Sequence, residues 1–150
     1  MAQNQDFDLH LFLPYLLNQA AEASSLSFQQ VYKNRYGMLR AEWRVLFHLG
    51  VYGPLTAKDI CDRAKMHKTK ISRAVQKLAD RRYLRRDPST SDRRSEILVL
   101  TERGQAVYRD LNGIAQQYET DLLASFSSKE REILKQLLIR LANGTSRDNA

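Results

Sequence analysis

The chain has very little of what several classes of protein require. Its 150 residues include one cysteine, Cys61, so no disulfide can form within the chain, and one cysteine with three scattered histidines does not make a zinc site. The most apolar stretch, Leu9 to Leu17, is interrupted by His10 and Pro14 and has no cationic flank, which argues against a signal peptide or a membrane span. Gly-rich phosphate loops and a Ser/His/Asp order with supporting turns are also missing. We therefore expect a cytoplasmic protein that is not an enzyme and holds no metal or cofactor.

Basic residues are concentrated in one quarter of the chain. Lys and Arg number 24 against 17 Asp and Glu. Residues 58–94 hold thirteen of the basic residues and five of the acidic ones, a net charge of +8, whereas the rest of the chain sums to −1. Such a distribution is typical of a surface that binds a polyanion. A basic surface that is merely solvated is the alternative, and the motifs within the segment decide between the two.

Hydrophobic periodicity and capping residues predict six helices in a chain of one domain's size. Apolar stripes run along the first, fifth and sixth helices and need a partner to cover them. The predicted bounds are about Pro14–Arg35, Ala41–Val51, Thr56–Ala64, His67–Arg82, Thr101–Phe126 and Ser127–Gly144.

The middle of the chain predicts two short helices joined by a tight turn, followed by a hairpin. Thr56 and Asp59 form a capping box that starts the third helix, and His67 caps the fourth soon after the third ends. This is the helix-turn-helix pattern. After it we expect strand 84–87, a loop over 88–91 and strand 97–100, which make a β-hairpin wing. The predicted fold class is therefore mostly α with a small β-hairpin wing.

The fourth helix presents a polar face suited to DNA. Ile71 marks the centre of its buried side, and a set of small or flexible polar residues points outward. Arg suits guanine and Gln suits adenine in the major groove. An ordinary exposed helix would mix Glu with Lys, but the only acid here is Asp80, near the far end. The predicted major-groove residues are Lys68, Thr69, Lys70, Ser72, Arg73, Gln76 and Lys77.

The wing carries arginines placed to reach a neighbouring groove. Arg94 is predicted to enter a minor groove, with the Asp92 carboxylate orienting it. Arg93, Arg85 and Arg86 are predicted to contact phosphate, which positions a protein without reading sequence. An isolated arginine pair would indicate a solvated turn, but this one directly follows a helix-turn-helix.

These motifs resemble those of the MarR family of transcriptional regulators. Residues 92–101 followed by Gly104 are similar to that family's wing and the helix after it, residues 42–46 to its second helix, and residues 70–73 to its recognition helix. The resemblance extends from about residue 16 to residue 141. There are two departures. Lys65 occupies a turn where many relatives have Gly, which implies a left-handed non-Gly residue, and Arg40 replaces the Thr or Ser that usually caps the second helix.

The resemblance implies a winged helix-turn-helix in an intertwined homodimer. On this interpretation residues 1–150 form a single domain, with a DNA-binding lobe over 41–100 and a helical dimerisation region over 9–36 and 101–144. A two-fold dimer would bind a pseudo-palindromic operator in double-stranded DNA, with half-sites about 10 bp apart. The implied function is a sequence-specific transcriptional regulator, a repressor released by a ligand.

Members of this family often respond to small aromatic or phenolic anions bound between the dimer platform and the DNA-binding lobe. Tyr36, Arg40, Trp43 and His48 lie where such a pocket would form, and Arg40 could hold a carboxylate. The alternatives are that Tyr36 and Trp43 pack in the core and that His48 is an ordinary helix histidine.

Cys61 does not match the position of the sensing cysteine in peroxide-responsive relatives, so we assign it to packing.

Two other functions remain open from the sequence. A winged-helix module could use the basic face to bind an acidic protein partner, and a small domain of this size could carry or convert an aromatic ligand. Weak, sequence-independent binding to duplex DNA would favour the first, and turnover of a candidate ligand would favour the second.

Overall fold

The computed structural model describes residues 6–92 and 94–144. Within them the chain forms the six predicted helices and the predicted hairpin, and it divides into two compact units, one up to residue 114 and one from residue 115 onward. The strands are β1 Leu55–Thr56, β2 Leu84–Pro88 and β3 Glu96–Leu100. The helices are α1 Leu13–Tyr36, α2 Arg40–Tyr52, α3 Ala57–Ala64, α4 Lys68–Asp80, α5 Glu102–Leu122 and α6 Ser128–Ala142.

A glycine and a carboxylate make the turn between α1 and α2. Gly37 ends α1 with a φ of 62°, a left-handed conformation that favours glycine. The N-cap of α2 is Leu39, whose backbone N–H donates to the Glu42 carboxylate. The prediction that Arg40 takes the capping position is therefore wrong by one residue. Arg40 is already helical, and Glu42, the third residue of the helix, accepts the N-cap N–H, which is the half of a capping box that an N3 glutamate supplies.

Side-chain caps specify both helices of the helix-turn-helix. The Thr56 hydroxyl accepts the Asp59 N–H at 3.1 Å, and the Asp59 carboxylate accepts the Thr56 N–H at 3.1 Å, so the predicted capping box is confirmed. These hydrogen bonds lower the pKa of Asp59. The turn residue Lys65 has a φ of 53°, the left-handed conformation expected of it. His67 caps α4, because its Nδ1 accepts the Thr69 N–H at 3.2 Å.

The wing belongs to a three-stranded antiparallel sheet with strand order β1-β3-β2. β2 and β3 pair from Leu84 opposite Leu100 to Pro88 opposite Glu96. β1 pairs with the other edge of β3, where Leu55 lies opposite Leu98. Sequence analysis missed β1, because a strand of two residues shows no alternation and Thr56 also serves as the α3 cap.

A continuous core holds α4 in place within the first unit. α4 packs against α2, α3 and β2, so one side of it is removed from solvent along its length. The predicted end of this helix at Arg82 is two residues late. The core residues that fix α4 and the wing are Val45, Leu46, Leu49, Ile60, Ile71, Ala74, Val75, Leu78, Leu84, Leu98 and Leu100, all less than 9% exposed.

The second unit contains the end of α5 and all of α6. α5 ends at Leu122, earlier than the predicted Phe126, and just after this end Arg131 Nε donates to the carbonyl oxygens of Leu123 and Phe126 at 2.8 and 2.9 Å. The predicted capping box of Ser127 and Glu130 starts α6. α6 ends at Ala142, two residues before the predicted Gly144. In the single chain the apolar stripe of α6 is exposed, at Ile133, Leu134, Leu137, Leu138 and Leu141.

Candidate nucleic-acid interface

The two faces of α4 separate as the sequence predicts. Ile71, Ala74, Val75 and Leu78 face the core and are no more than 4% exposed. Successive steps of three and four residues place them on one stripe, so the remaining positions must face outward. All seven predicted major-groove residues are exposed: Lys68, Thr69, Lys70, Ser72, Arg73, Gln76 and Lys77.

A basic cleft lies where α3, α4 and the wing meet. It has a volume of about 400 Å³ and is bounded by the start of α3, the first turns of α4 and the base of the wing loop. The cations of this cleft are Lys58, Lys68, Arg86 and Arg94, and the acidic residue among its described lining residues is Glu96. Lys58 was not among the predicted site residues. Its position two residues after the Thr56 cap, at the start of the helix that precedes α4, is the signal that could have identified it.

The amide of Gln76 joins α4 to the wing. Its Oε1 accepts a hydrogen bond from Arg86 Nη2 at 2.8 Å, and its Nε2 donates to Asp80 Oδ1 at 2.7 Å. Arg86 also lies 3.5 Å from the Glu96 carboxylate. Gln76 would have to give up these partners in order to bind an adenine, whereas no such contact ties Ser72 or Arg73 within the described residues.

Arg85 and Arg86 lie on opposite sides of β2, because successive side chains of a strand alternate. Arg86 lines the basic cleft. Arg85 pairs instead with Asp87, two residues along the same face, at 3.2 Å. Of these two predicted phosphate contacts, only Arg86 is brought together with α4.

Asp92 organises the wing loop through the backbone. Its Oδ1 accepts the Arg94 backbone N–H at 2.9 Å, and its Oδ2 accepts the Ser95 hydroxyl at 3.2 Å. The prediction that Asp92 orients the guanidinium of Arg94 is thus corrected, since the carboxylate holds the loop and the exposed Arg94 side chain projects from it. Arg93 lies outside the described residues.

A second groove beside α4 contains a buried carboxylate. Lys70, Arg73 and Lys77 line its α4 side, and Glu42 of α2 lies at its base. Glu42 is only 2% exposed, and its Oε1 lies 3.8 Å from Lys77 Nζ. Lys77 therefore has a carboxylate partner, which lowers its availability for a phosphate, whereas Arg73 stands in the same groove without one among the described residues.

The residues predicted to bind a ligand are divided by the structure. Arg40 and Trp43 line a cavity of about 270 Å³ between α1 and α2. Tyr36 lies elsewhere and donates to Asp110 Oδ2 at 2.5 Å, and burial together with this hydrogen bond raises its pKa to about 12. His48 also lies elsewhere, with its Nδ1 2.6 Å from the Arg44 carbonyl oxygen.

The cavity between α1 and α2 is aromatic on one side and cationic on the other. Tyr32 stacks on Trp43 with ring centroids 5.7 Å apart, and Phe28 meets Trp43 edge-on at 5.5 Å. Arg40 reaches the rim, 3.5 Å from Glu22 and 3.4 Å from the Ser25 hydroxyl. The sequence prediction missed Phe28 and Tyr32 as lining residues because the apolar stripe of the first helix was interpreted as a surface that a partner covers.

Two buried donors beside this cavity have no partner among the described residues. They are the indole Nε1 of Trp43 and the Nε of Arg44. Buried polar groups normally form hydrogen bonds, so these two donors lack the partner that such groups usually have.

The described residues show no group of three or more His, Cys, Asp and Glu side chains that could hold a metal ion. None of their helices is both long enough and apolar enough to cross a membrane.

Comparisons with known proteins agree with this geometry. The chain matches the family model described as MarR family over residues 36–95. It is 26% identical over 102 residues to YwoH, an uncharacterized HTH-type transcriptional regulator of Bacillus subtilis, and the match covers 68% of this chain and 74% of YwoH.

Solved structures share the fold. A MarR/EmrR family transcriptional regulator from an Acinetobacter species superposes with a TM-score of 0.82 at 27% identity, covering 91% of this chain and 96% of that one. BpsR of Bordetella bronchiseptica, whose DNA binding is regulated by 6-hydroxynicotinic acid, superposes with a TM-score of 0.78 at 22% identity, covering 87% of this chain and 98% of BpsR.

Proposed function

We propose that this chain is a DNA-binding transcriptional regulator of the MarR family, with the winged helix-turn-helix fold. Two copies of it bind a pseudo-palindromic operator and repress transcription until a small aromatic anion releases them. One observation carries the DNA-binding part of this proposal. The exposed face of α4 and the wing loop place cations around a single basic cleft. A polyanion is the partner that such a surface favours.

Base readout is assigned to the middle of α4. Ser72 and Arg73 are exposed and face away from the core, and Arg73 can donate two parallel hydrogen bonds to a guanine. Arg94, projecting from the loop that Asp92 holds, is assigned to a minor groove, and Lys68 and Arg86 to phosphates.

The exposed leucines and isoleucines of α6 support the homodimer. Six large apolar side chains on one helix, Ile139 included, are each at least 38% exposed, which is unusual for a surface that faces water. A second copy of the chain would cover them, and a two-fold axis would then present the two α4 helices to successive major grooves about 10 bp apart.

A gel-shift titration at fixed salt tests the DNA-binding proposal. Genomic fragments selected by the wild-type protein serve as operators, and the variants are Arg73→Ala and Arg94→Ala. We expect each to weaken binding by about tenfold or more, since each removes a charge-assisted contact. Arg140→Ala, which removes one cation from an exposed position of α6, is the matched control and should bind like the wild type.

Two outcomes would contradict this assignment. Unchanged operator affinity in both variants would mean that α4 and the wing do not contact DNA. Weak binding to every duplex, with no selected operator, would favour the basic face as a site for an acidic protein partner.

The cavity between α1 and α2 is the proposed effector site. Its stacked rings suit an aromatic ligand, the free indole N–H of Trp43 can donate to a ligand oxygen, and Arg40 can exchange Glu22 for a ligand carboxylate. The chain has one tryptophan, so its fluorescence reports this cavity directly. The BpsR fold offers a precedent in which a small aromatic acid regulates DNA binding.

Benzoate and 4-hydroxybenzoate are suitable probes. We expect saturable quenching of Trp43 fluorescence, release of the operator at the same ligand concentrations, and binding about tenfold weaker in Arg40→Gln. An absence of saturation up to about 10 mM would contradict the effector site and leave the DNA-binding proposal standing.

A further inference from the structure

A second charged cleft lies at the opposite end of α4 from the basic cleft. It has a volume of about 390 Å³, and its lining includes four arginines: Arg35 at the end of α1, Arg81 and Arg82 just after α4, and Arg103 in the first turn of α5. α4 has 13 residues, which corresponds to roughly 20 Å of helix axis between this end and the end beside the wing loop. The arginine cleft, as we call it, is therefore separate from the proposed DNA-reading surface.

Two of its guanidinium groups are held in place by partners that do not neutralise them. Arg81 donates to the backbone carbonyl oxygens of Tyr36 and Gly37. Arg103 lies over the ring of Tyr83, 5.3 Å from its centroid. Carbonyl groups and an aromatic face fix the position of a cation and leave its full charge to interact with another ligand.

The backbone at Arg82 is in a conformation that favours glycine. Its φ is 62°, one of two such non-Gly values in the described residues. Thr101 holds this turn, because its hydroxyl donates to the Arg82 carbonyl oxygen at 2.6 Å and its N–H donates to the Tyr83 carbonyl oxygen at 3.1 Å. A strained conformation that the surrounding structure enforces is a reason to look for function, and here it carries a guanidinium into the cleft.

The charges of the cleft do not balance. Arg35 pairs with Asp110 at 3.0 Å. Among the described residues of the lining, Asp80 is the only carboxylate, and it also accepts a hydrogen bond from Gln76. Four arginines against these two carboxylates leave a net charge of +2, and the described residues provide no acidic partner for Arg82.

We propose that the arginine cleft binds a small anion through a phosphate or pyrophosphate group. A net charge of +2 matches a phosphate dianion better than a single carboxylate. Guanidinium groups bind phosphate oxygens through paired hydrogen bonds, and Arg81 and Arg103 are already positioned to do so. This site is distinct from the aromatic cavity between α1 and α2, with which it shares no lining residue.

Titration calorimetry with inorganic pyrophosphate tests the proposal. The informative variant is Arg82→Gly, because it removes a guanidinium while glycine accepts the left-handed backbone, so the fold should be kept or stabilised. We expect saturable binding to the wild-type chain, binding weaker by about tenfold or more in Arg82→Gly, and unchanged binding in the control Arg140→Ala. Thermal unfolding of each variant without ligand verifies that the fold is intact.

A second arm separates a free phosphate-bearing ligand from the phosphates of DNA. The proposal predicts that Arg82→Gly binds the selected operator with wild-type affinity and a wild-type dependence on salt. If the variant instead weakens operator binding and lowers the salt slope by about one, the cleft contacts DNA and the proposal is overturned. It is also overturned if the wild-type chain shows no saturable pyrophosphate binding, or if Arg140→Ala weakens binding as much as Arg82→Gly. The calorimetry contains no DNA, so a failure of the proposed operator binding would not affect it.

Discussion

Replacing Gly104 by alanine should disturb the junction between α5 and the base of the wing. A Cβ atom at this position would lie 1.9 Å from the Tyr83 carbonyl oxygen and 2.8 Å from its carbonyl carbon. Real Cβ atoms essentially never approach such atoms within 3.0 Å, so the oxygen and the new atom must separate by at least 1.1 Å. The Tyr83 carbonyl oxygen and the Gly104 Cα that would carry the new Cβ both belong to buried backbone, so a change of side-chain rotamer cannot relieve the contact.

The stability lost through this contact is partly offset by the higher helix propensity of alanine. Alanine is favoured over glycine inside a helix by about 1 kcal/mol. Overpacking costs about 1–3 kcal/mol, and the shift also strains the hydrogen bond from the Thr101 N–H to the Tyr83 carbonyl oxygen, worth about 1 kcal/mol. We therefore expect Gly104→Ala to lower the free energy of unfolding by about 1–3 kcal/mol overall.

Gly113→Ala is the matched control, because Gly113 lies in the same helix and an added Cβ would meet nothing within 4 Å. This change should raise the free energy of unfolding by about 0.5–1 kcal/mol. Urea denaturation followed by circular dichroism, at one protein concentration for all variants, measures both effects. Equal stability of Gly104→Ala and Gly113→Ala would refute the packing argument.

Two further substitutions test the contacts around this junction. Thr101→Val keeps the shape of the side chain but leaves the Arg82 carbonyl and the Gly104 N–H without their partner, so the free energy of unfolding should fall by about 1–2 kcal/mol, and unchanged urea midpoints would contradict this role. The hydrogen bond from Tyr36 and the charge of Arg35 lower the pKa of Asp110, so this carboxylate stabilises the fold above its unfolded pKa, and the stabilisation is lost as the pH falls through its lower folded pKa. Tyr36→Phe should raise the pKa of Asp110 in a carbon-detected NMR titration and shift acid unfolding to higher pH, and an unchanged pKa would show that the hydrogen bond is absent in solution.

The faces and caps of α4 could be predicted from sequence because they depend on local spacing. The positions of Ile71, Ala74, Val75 and Leu78 determine which side is buried, and His67 precedes the helix at a fixed interval. The capping boxes before α3 and α6 follow from the same local logic. Such features need no knowledge of which elements meet in three dimensions.

Contacts between distant elements could not be predicted in this way. The hydrogen bond of Gln76 with Arg86 depends on how β2 packs beside α4. Tyr36 and Arg40 line different cavities because they lie on opposite sides of the α1–α2 turn. The arginine cleft was also missed, since Arg35 and Arg103 come together with Arg81 only through tertiary packing. A net charge summed along the chain does not show that the cations form two separate clefts.

The most direct test of the central claim is a titration of operators that differ by one base pair, with the wild-type chain and Arg73→Ala. If the exposed face of α4 reads base edges, the variant should lose about 1–3 kcal/mol of discrimination at one position of each half-site and keep the wild-type preference at the others. A uniform loss of affinity at every position, or no loss at any, would show that Arg73 does not read sequence and would contradict the account.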